Sequence, residues 1–281
     1  MNTYLTSNAP TVRLVSCTPC MEETVAVAAE MCYSSKDPEE LIASSSDRKS
    51  KYLIDKLSSM GHESPFEHAT FTFVISDISR ACSHQLVRHR IASYSQRSQR
   101  YVDEEGFDYI IPPEIENNRF ARSQYVTFMA RVDDEYNSIK LTLLGSKICE
   151  YNNDVESTLW GMTDAEIRRL CEQFKNEHPD IYGKFYKEAC EDARYILPNA
   201  CATQLVCTMN VRSLLNFFSL RCCNRAQWEI HELADKMLKI CKEVAPNLFR
   251  NAGPSCLSGK CPEGQLSCGR SQEVIEKYRK G

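Results

Sequence analysis

Apolar residues recur along most of this chain at the three-and-four spacing of helices, with only a few short alternating stretches. Val12–Ser16 reads as a short strand. A helix follows from about Glu22 to Tyr33, where Val25, Ala28, Ala29 and Cys32 fall on one face. Tyr52, Leu53, Leu57 and Met60 mark a helix over Asp47–Met60, stopped by Gly61. Thr70–Ile75 is β-branched and aromatic and predicts a strand, and Ser79–Val87 predicts a helix leading into an Arg-rich loop. Pro112–Pro113 punctuates the chain before a long helix over about Asn118–Thr142. Periodicity weakens around Gly145–Met162, and Asn152–Asn153–Asp154 marks a turn or a surface insertion. Thr163 opens a helix with Asp164 and Glu166 in its first turn. Tyr186–Tyr195 is helical and stops before Pro198. Cys201–Thr208 reads as a buried strand, Asn210 caps a helix running to about Cys222, and a further amphipathic helix covers Ala226–Val244. From Gly253 the tail reads as irregular.

Few strands among many helices predict an α+β fold. The expectation is a single domain over residues 1–281, with a modest central antiparallel sheet flanked by helices and peripheral tails at about 1–9 and 266–281. The chain is long enough to bury a substantial core.

Composition narrows the function classes. Hydrophobic residues make up 42% and charged residues 26%, which excludes disorder as the main state. A net charge of -4 argues against a general nucleic-acid binder but leaves room for a local basic pocket. No run of apolar residues is long enough to span a membrane, and the first 20 residues lack the blocks of a signal peptide. A cytoplasmic protein is expected, with no membrane partner. The 15 Cys are scattered and read mostly as free thiols packed as small apolar side chains.

The densest chemistry lies in Arg88–His89–Arg90–Ile91–Ala92–Ser93–Tyr94–Ser95–Gln96–Arg97–Ser98–Gln99–Arg100–Tyr101. No Asp or Glu stands between Ser83 and Asp103, so these cations repel one another unless an anion joins them. Arg forks suit phosphate, and Ser hydroxyls and loop amides fill the remaining acceptor positions. An anion pocket and a solvated basic loop are the two readings. A second group lies in Asn210–Arg221, where Arg212 and Asn216 share a helical face and apolar residues cover much of the rest. Its Arg residues either face a ligand or pair internally, for example with Glu229 or Glu232. Asn210 at the helix start adds free backbone amides. A third group, His62–Glu63–Ser64–Pro65–Phe66–Glu67–His68, has two His six apart around a Pro. That is not zinc-protease spacing, and it reads instead as a helix start with Ser64 as cap, Pro65 first and Glu67 third. No G-x-G-x-x-G and no Walker loop occurs. Cys17-x-x-Cys20 has the spacing of a redox-active pair, and a buried or edge thiol pair is the favoured reading. Cys256, Cys261 and Cys268 lie off the usual zinc spacing, and no metal is expected.

Taken together, these segments resemble the flavin-dependent thymidylate synthases. That family's signature is Arg-His-Arg, seven residues, Ser, one residue, Arg, standing here as Arg88–His89–Arg90, Ser98 and Arg100. The His62–His68 segment, the Asn210–Arg221 helix and Ala226–Gln227–Trp228–Glu229 are similar too, and the likeness covers about residues 10–265 in order. The resemblance implies an α+β fold of the thymidylate synthase-complementing type and a homotetramer with active sites shared between subunits. It implies FAD as cofactor, with dUMP, 5,10-methylenetetrahydrofolate and NADPH as substrates and dTMP as product, and no enzyme Cys attacking the uracil. By motif, Arg221 is the catalytic residue, binding uracil and favouring ionisation at N3. The dUMP set is Gln85, Leu86, Val87, Arg88, Gln96, Arg97, Ser98, Gln99, Arg100, Arg194 and Arg221. The FAD set is Ser64, Arg88, His89, Arg90, Gln96, Asn210, Val211, Arg212 and Asn216, with His62 near flavin and folate. Gln96 stands where Glu is frequent in the family and Gln99 where a small residue is. A noncatalytic nucleotide or RNA binder using the Arg88–Arg100 loop is the competing reading.

Overall fold

Phe71, Phe73 and Ile75 are fully buried while the residues between them are not, the alternation of a strand with one face on a core. Leu205, Cys207 and Met209 repeat the pattern. These two strands form the centre of a four-stranded sheet in a computed structural model that describes residues 4–5, 10–152, 159, 161–259 and 261–280. The chain divides into two compact units.

One unit comprises Pro10–Gln96 and Thr203–Gly281. Along the whole chain, β1 is Tyr4–Leu5 and β2 is Thr11–Cys17, followed by helices α1 (Met21–Met31), α2 (Pro38–Ala43) and α3 (Asp47–Met60). Next come β3 (Thr70–Ser79), α4 (Arg80–Leu86) and β4 (Ala92–Gln96). The other unit, Met1–Ala9 with Arg97–Ala202, holds β5 (Tyr109–Ile110), α5 (Pro113–Glu116), α6 (Arg119–Tyr151), α7 (Asp164–Glu177) and α8 (Pro179–Ala193). The chain returns through β6 (Ala202–Asn210) to α9 (Val211–Arg221), α10 (Trp228–Val244), α11 (Pro246–Phe249) and α12 (Ser271–Lys280).

In the first unit the strand order is β2-β3-β6-β4. β2 runs antiparallel to β3 from Thr11 opposite Ser76 to Cys17 opposite Phe71, with a bulge between Leu14 and Ser16. β4 runs antiparallel to β6 from Ala92 opposite Met209 to Gln96 opposite Leu205. The Thr72 and Thr208 hydroxyls lie 2.9 Å apart, and Val211 N donates to Ala69 O, so β3 and β6 also run in opposite directions. The buried face of the sheet packs on α9 and α10 through Phe217, Phe218, Leu233 and Met237. Phe71 stacks on Phe73 and meets Phe249 edge-on.

A buried carboxylate ties two of these helices together. Glu229, in the first turn of α10, accepts from Ser79 N and Ser79 Oγ, both at 2.6 Å. Ser79 Oγ in turn accepts from Cys82 N as the cap of α4. Burial raises the Glu229 pKa, and the two Ser79 bonds work against that rise.

In the second unit α6, α7 and α8 pack through Leu144, Ile148, Ile167, Cys171, Phe174 and Ala189. Burial pushes the Asp103 carboxyl up, but hydrogen bonds from Lys140 (2.7 Å) and Tyr186 outweigh it and hold Asp103 below its ordinary value. A capping box between Thr163 and Glu166 opens α7, as the Thr163 start predicts.

Most of the expected elements form within a few residues of their sequence bounds. Four differ. The Arg-rich loop contains β4, whose alternation is masked because its exposed positions are polar and its half-buried ones are mixed. α6 runs on to Tyr151 because Leu144, Ile148 and Cys149 stay buried where the pattern weakens. α8 begins at Pro179, seven residues before Tyr186, with Pro in its first turn. Beyond Gly253 the tail is not irregular throughout: it ends in α12, whose Val274 and Tyr278 join the core. Gly253 sits at φ 152°, and a Cβ there would strike Leu257 at 2.5 Å. Asn153 and Asp154 of the expected turn lie outside the described residues. All 15 Cys are free, and eight of them are buried. No helix among the described residues is long and apolar enough to cross a membrane.

Glu229→Ala leaves Ser79 N and Oγ buried without their acceptor. It is expected to cost about 3 kcal/mol, read as a lower urea midpoint with an unchanged slope.

Candidate active site

α4 ends at Leu86, and the next three residues turn sharply under a single hydroxyl. Tyr94 Oη lies 2.9 Å from both Leu86 O and His89 O and donates to this pair. With the turn pinned, Arg88 and Arg90 point out and are exposed, while His89 points in and is only 8% exposed. The His89 ring meets Phe217 edge-on at 4.9 Å, and its Nε2 accepts from Arg221 Nε at 2.9 Å. Burial, and then the Arg221 cation, push the His89 pKa down to about 4. His89 is therefore neutral at pH 7, with its proton on Nδ1, and presents a lone pair to Arg221.

Arg221 closes α9. Its carbonyl and that of Cys223 each lie 3.1 Å from His231 Nδ1, which anchors the turn after the helix. At the other end Asn210 Oδ1 accepts from Ser213 N at 2.8 Å, the expected cap. α9 buries one face (Val211, Leu214, Phe217, Phe218) and leaves Arg212, Asn216 and Leu220 exposed. The internal pairing considered from sequence is not with Glu229 or Glu232. Glu229 is taken by Ser79, and Glu232 pairs with Lys236. Arg212 instead reaches back to Glu67 and to Glu63 at 3.5 Å.

Ser64–His68 is one 3₁₀ turn with Pro65 and Phe66 buried. Ser64 does not cap it: the turn starts one residue early, so that Ser64 is its first residue and Glu63 stands at the cap position without a side-chain capping bond, and Glu67 is turned to Arg212. His62, Ser64 and His68 are exposed.

Gln96 Nε2 donates to Ser83 Oγ (2.9 Å) and Thr203 Oγ1 (3.2 Å). Leu86 is buried, and Gln85 and Val87 are half-buried beside it. After Gln96 the chain enters the other unit, so Arg97, Ser98, Gln99, Arg100 and Arg194 belong there. Within that unit Ser98 Oγ accepts from Arg100 N, and Arg194 opens a 3₁₀ turn after α8. Gln99 Nε2 is buried without a partner among the described residues. Arg100 is not uncompensated, because Glu191 on α8 meets its Nε at 2.9 Å, a partner ninety-one residues away that local charge counting does not see. Arg88 and Arg90 form no ion pair among the described residues. Sequence reasoning also missed Tyr94 and His231, which act on backbone carbonyls and leave no spacing signal.

Residues 13–247 match the thymidylate synthase complementing protein family. The chain belongs to that family. It is 45% identical to a flavin-dependent thymidylate synthase of Clostridium tetani, over 95% of this chain and 96% of that one. A flavin-dependent thymidylate synthase of Geobacter sulfurreducens is 40% identical over 95% of this chain and 97% of its own. Among solved structures, the UMP/dUMP methylase PolB of Streptomyces cacaoi, bound with 5-Br dUMP, superposes with a TM-score of 0.63 at 20% identity, covering 88% of this chain and 95% of that one. That likeness bears on the fold alone.

In this member of the thymidylate synthase complementing family, the His89 ring is expected to titrate near pH 4 by NMR. A lowered folded pKa means the unfolded chain binds more protons between about 6.5 and about 4. The His89 contribution to stability is therefore complete above about 6.5 and lost as the pH falls toward 4. Urea midpoints of wild type and His89→Gln should converge across that window. Midpoints that fall in parallel would place the acid sensitivity elsewhere.

Proposed function

We propose that this chain is a flavin-dependent thymidylate synthase that methylates dUMP to dTMP. The observation that carries the reading is the full Arg88–His89–Arg90…Ser98…Arg100 signature in a chain 45% identical, nearly end to end, to a protein of that name. The residues fit a flavin nucleotide. Arg88 and Arg90 are exposed guanidinium groups without acidic partners among the described residues, and Asn210 caps the eleven-residue helix that carries Arg212 and Asn216. Ser64, Arg88, His89, Arg90, Gln96, Asn210, Val211, Arg212 and Asn216 would hold FAD, with His62 near flavin and folate. Once reduced by NADPH, the bound flavin would supply the hydride of the reductive methylation, with 5,10-methylenetetrahydrofolate as carbon donor.

The chain's own residues bind and orient. Gln85, Leu86, Val87, Arg88, Gln96, Arg97, Ser98, Gln99, Arg100 and Arg194 would hold dUMP, the orphaned Gln99 amide among them. Arg221 would stabilise negative charge developing on the uracil ring, favouring ionisation at N3 and electron density at C5. Neutral His89 aims the Arg221 guanidinium without cancelling its charge, which a carboxylate in its place would do. Three of the thiols are held back from attack. Burial holds Cys82 and Cys222 far above the usual thiol range and pushes Cys207 up to about 12. A homotetramer with shared active sites goes with this reading.

Purified protein incubated with FAD and desalted should keep flavin absorption bands that dUMP perturbs. A folded protein that stays colourless would overturn the proposal. Arg221→Ala is expected to keep FAD and lose dTMP formation by about a hundredfold or more, measured under single turnover. His89→Gln, which can still accept from Arg221, should lose less than His89→Leu.

A further inference from the structure

Eight of the fifteen Cys are buried, and those of the core pack as small apolar groups. Four others behave differently. Cys223 follows α9, Cys256 sits in the 3₁₀ turn Ser255–Ser258, and Cys261 and Cys268 lie in the loops that follow. All four are half-buried, and all four line one cavity of about 430 Å³ within a single unit. They are near enough that Cys223, Cys261 and Cys268 each act electrostatically on the Cys256 thiol. Three come from a stretch of thirteen residues, and the fourth from more than thirty residues upstream, which is why spacing alone does not show the set.

The wall between the thiols carries the right chemistry. Arg221 and Arg225 line it and would offset the negative charge of a thiolate-bound centre, against one carboxylate, Glu263. Arg225 also holds the Leu266 carbonyl, fastening the loop that carries Cys268. Cys261 is followed by Pro and Cys268 by Gly, and Gly259, at φ 149°, turns the chain between Cys256 and Cys261. Among the described residues no three His, Cys, Asp or Glu stand close enough to hold one metal ion. A lone tetrahedral zinc, with its sulfurs drawn in to about 2.3 Å from the metal, is the poorer occupant. Four thiols spread around a roomy cavity suit a larger centre, in which several irons are bridged by sulfide.

We propose that Cys223, Cys256, Cys261 and Cys268 are the four thiolate ligands of an iron–sulfur cluster seated in this cavity. Apart from Arg221, none of the residues assigned to FAD or dUMP lines this cavity, and the site does not rest on the thymidylate synthase reading. It shares one wall with Arg221, and it clamps the tail leading to α12 against the end of α9.

The full-length protein, purified without oxygen and reconstituted with ferrous iron and sulfide, tests this. Iron and acid-labile sulfide should be equimolar at about two or about four per chain, with a cluster signal by electron paramagnetic resonance after reduction with dithionite that flavin does not give. Cys223→Ser, Cys256→Ser, Cys261→Ser and Cys268→Ser should each hold roughly tenfold less iron and sulfide. The exposed Cys32→Ser should match wild type. For any variant that fails to fold, alkylation of the wild type replaces it: the four thiols should be protected until a strong iron chelator is added. Three results would overturn the proposal: no sulfide bound after reconstitution, zinc bound in place of iron, or the four thiols alkylated as fast in the iron-loaded protein as without iron. Because the readout is metal and sulfide, a protein that binds the cluster but makes no dTMP would sink only the enzymatic reading.

Discussion

A buried imidazole facing a guanidinium is the contact on which the candidate site depends. His89 can sit at 8% exposure beside the Arg221 cation only if it carries no charge itself. Burial and Arg221 both drive it to the neutral form, so the pair reinforces its own protonation state. The geometry beneath it follows. Tyr94 holds the turn that inserts His89, Phe217 supplies the apolar wall, and His231 closes the helix that ends at Arg221. With His89 turned inward, its neighbours Arg88 and Arg90 face solvent, with no carboxylate paired to them among the described residues. A basic motif on the sequence thus resolves into one buried neutral base and two free cations.

Much of this fold is legible along the chain. The α3 bounds, the Asn210 cap, the Thr163 capping box and both central strands follow from apolar spacing and cap chemistry, which are local. What local reasoning misses is carried by partners far away in sequence. β4 forms because β6 offers it a ladder, not because Ala92–Gln96 alternates cleanly. Arg212 meets Glu63 and Glu67 from across 145 residues or more, and Arg100 meets Glu191. Ser64 looks like a helix cap from its neighbours, yet it is the first residue of the turn itself and Glu63 takes the cap position.

The candidate site shows the same division. Arg88, His89, Arg90 and Arg221 stand out as residue types in a dense motif, and family resemblance assigns their roles. Their orientation comes from Tyr94, Phe217 and His231, ordinary residues whose importance exists only in three dimensions. The Cys set behind Arg221 is the extreme case. Its members look like scattered apolar fillers until the chain folds around a common hollow.

Residues 97–202 interrupt the unit that owns the sheet. Its two central strands, β3 and β6, end near residues 79 and 210, so more than a hundred residues must be translated between them. Until β6 leaves the ribosome, β3 offers its Phe71–Ile75 row and one unpaired edge to the cell. Late closure of so long a loop makes folding slow, whatever the stability finally reached. During that interval the exposed apolar row and open edge are the features through which a nascent chain of this design would aggregate.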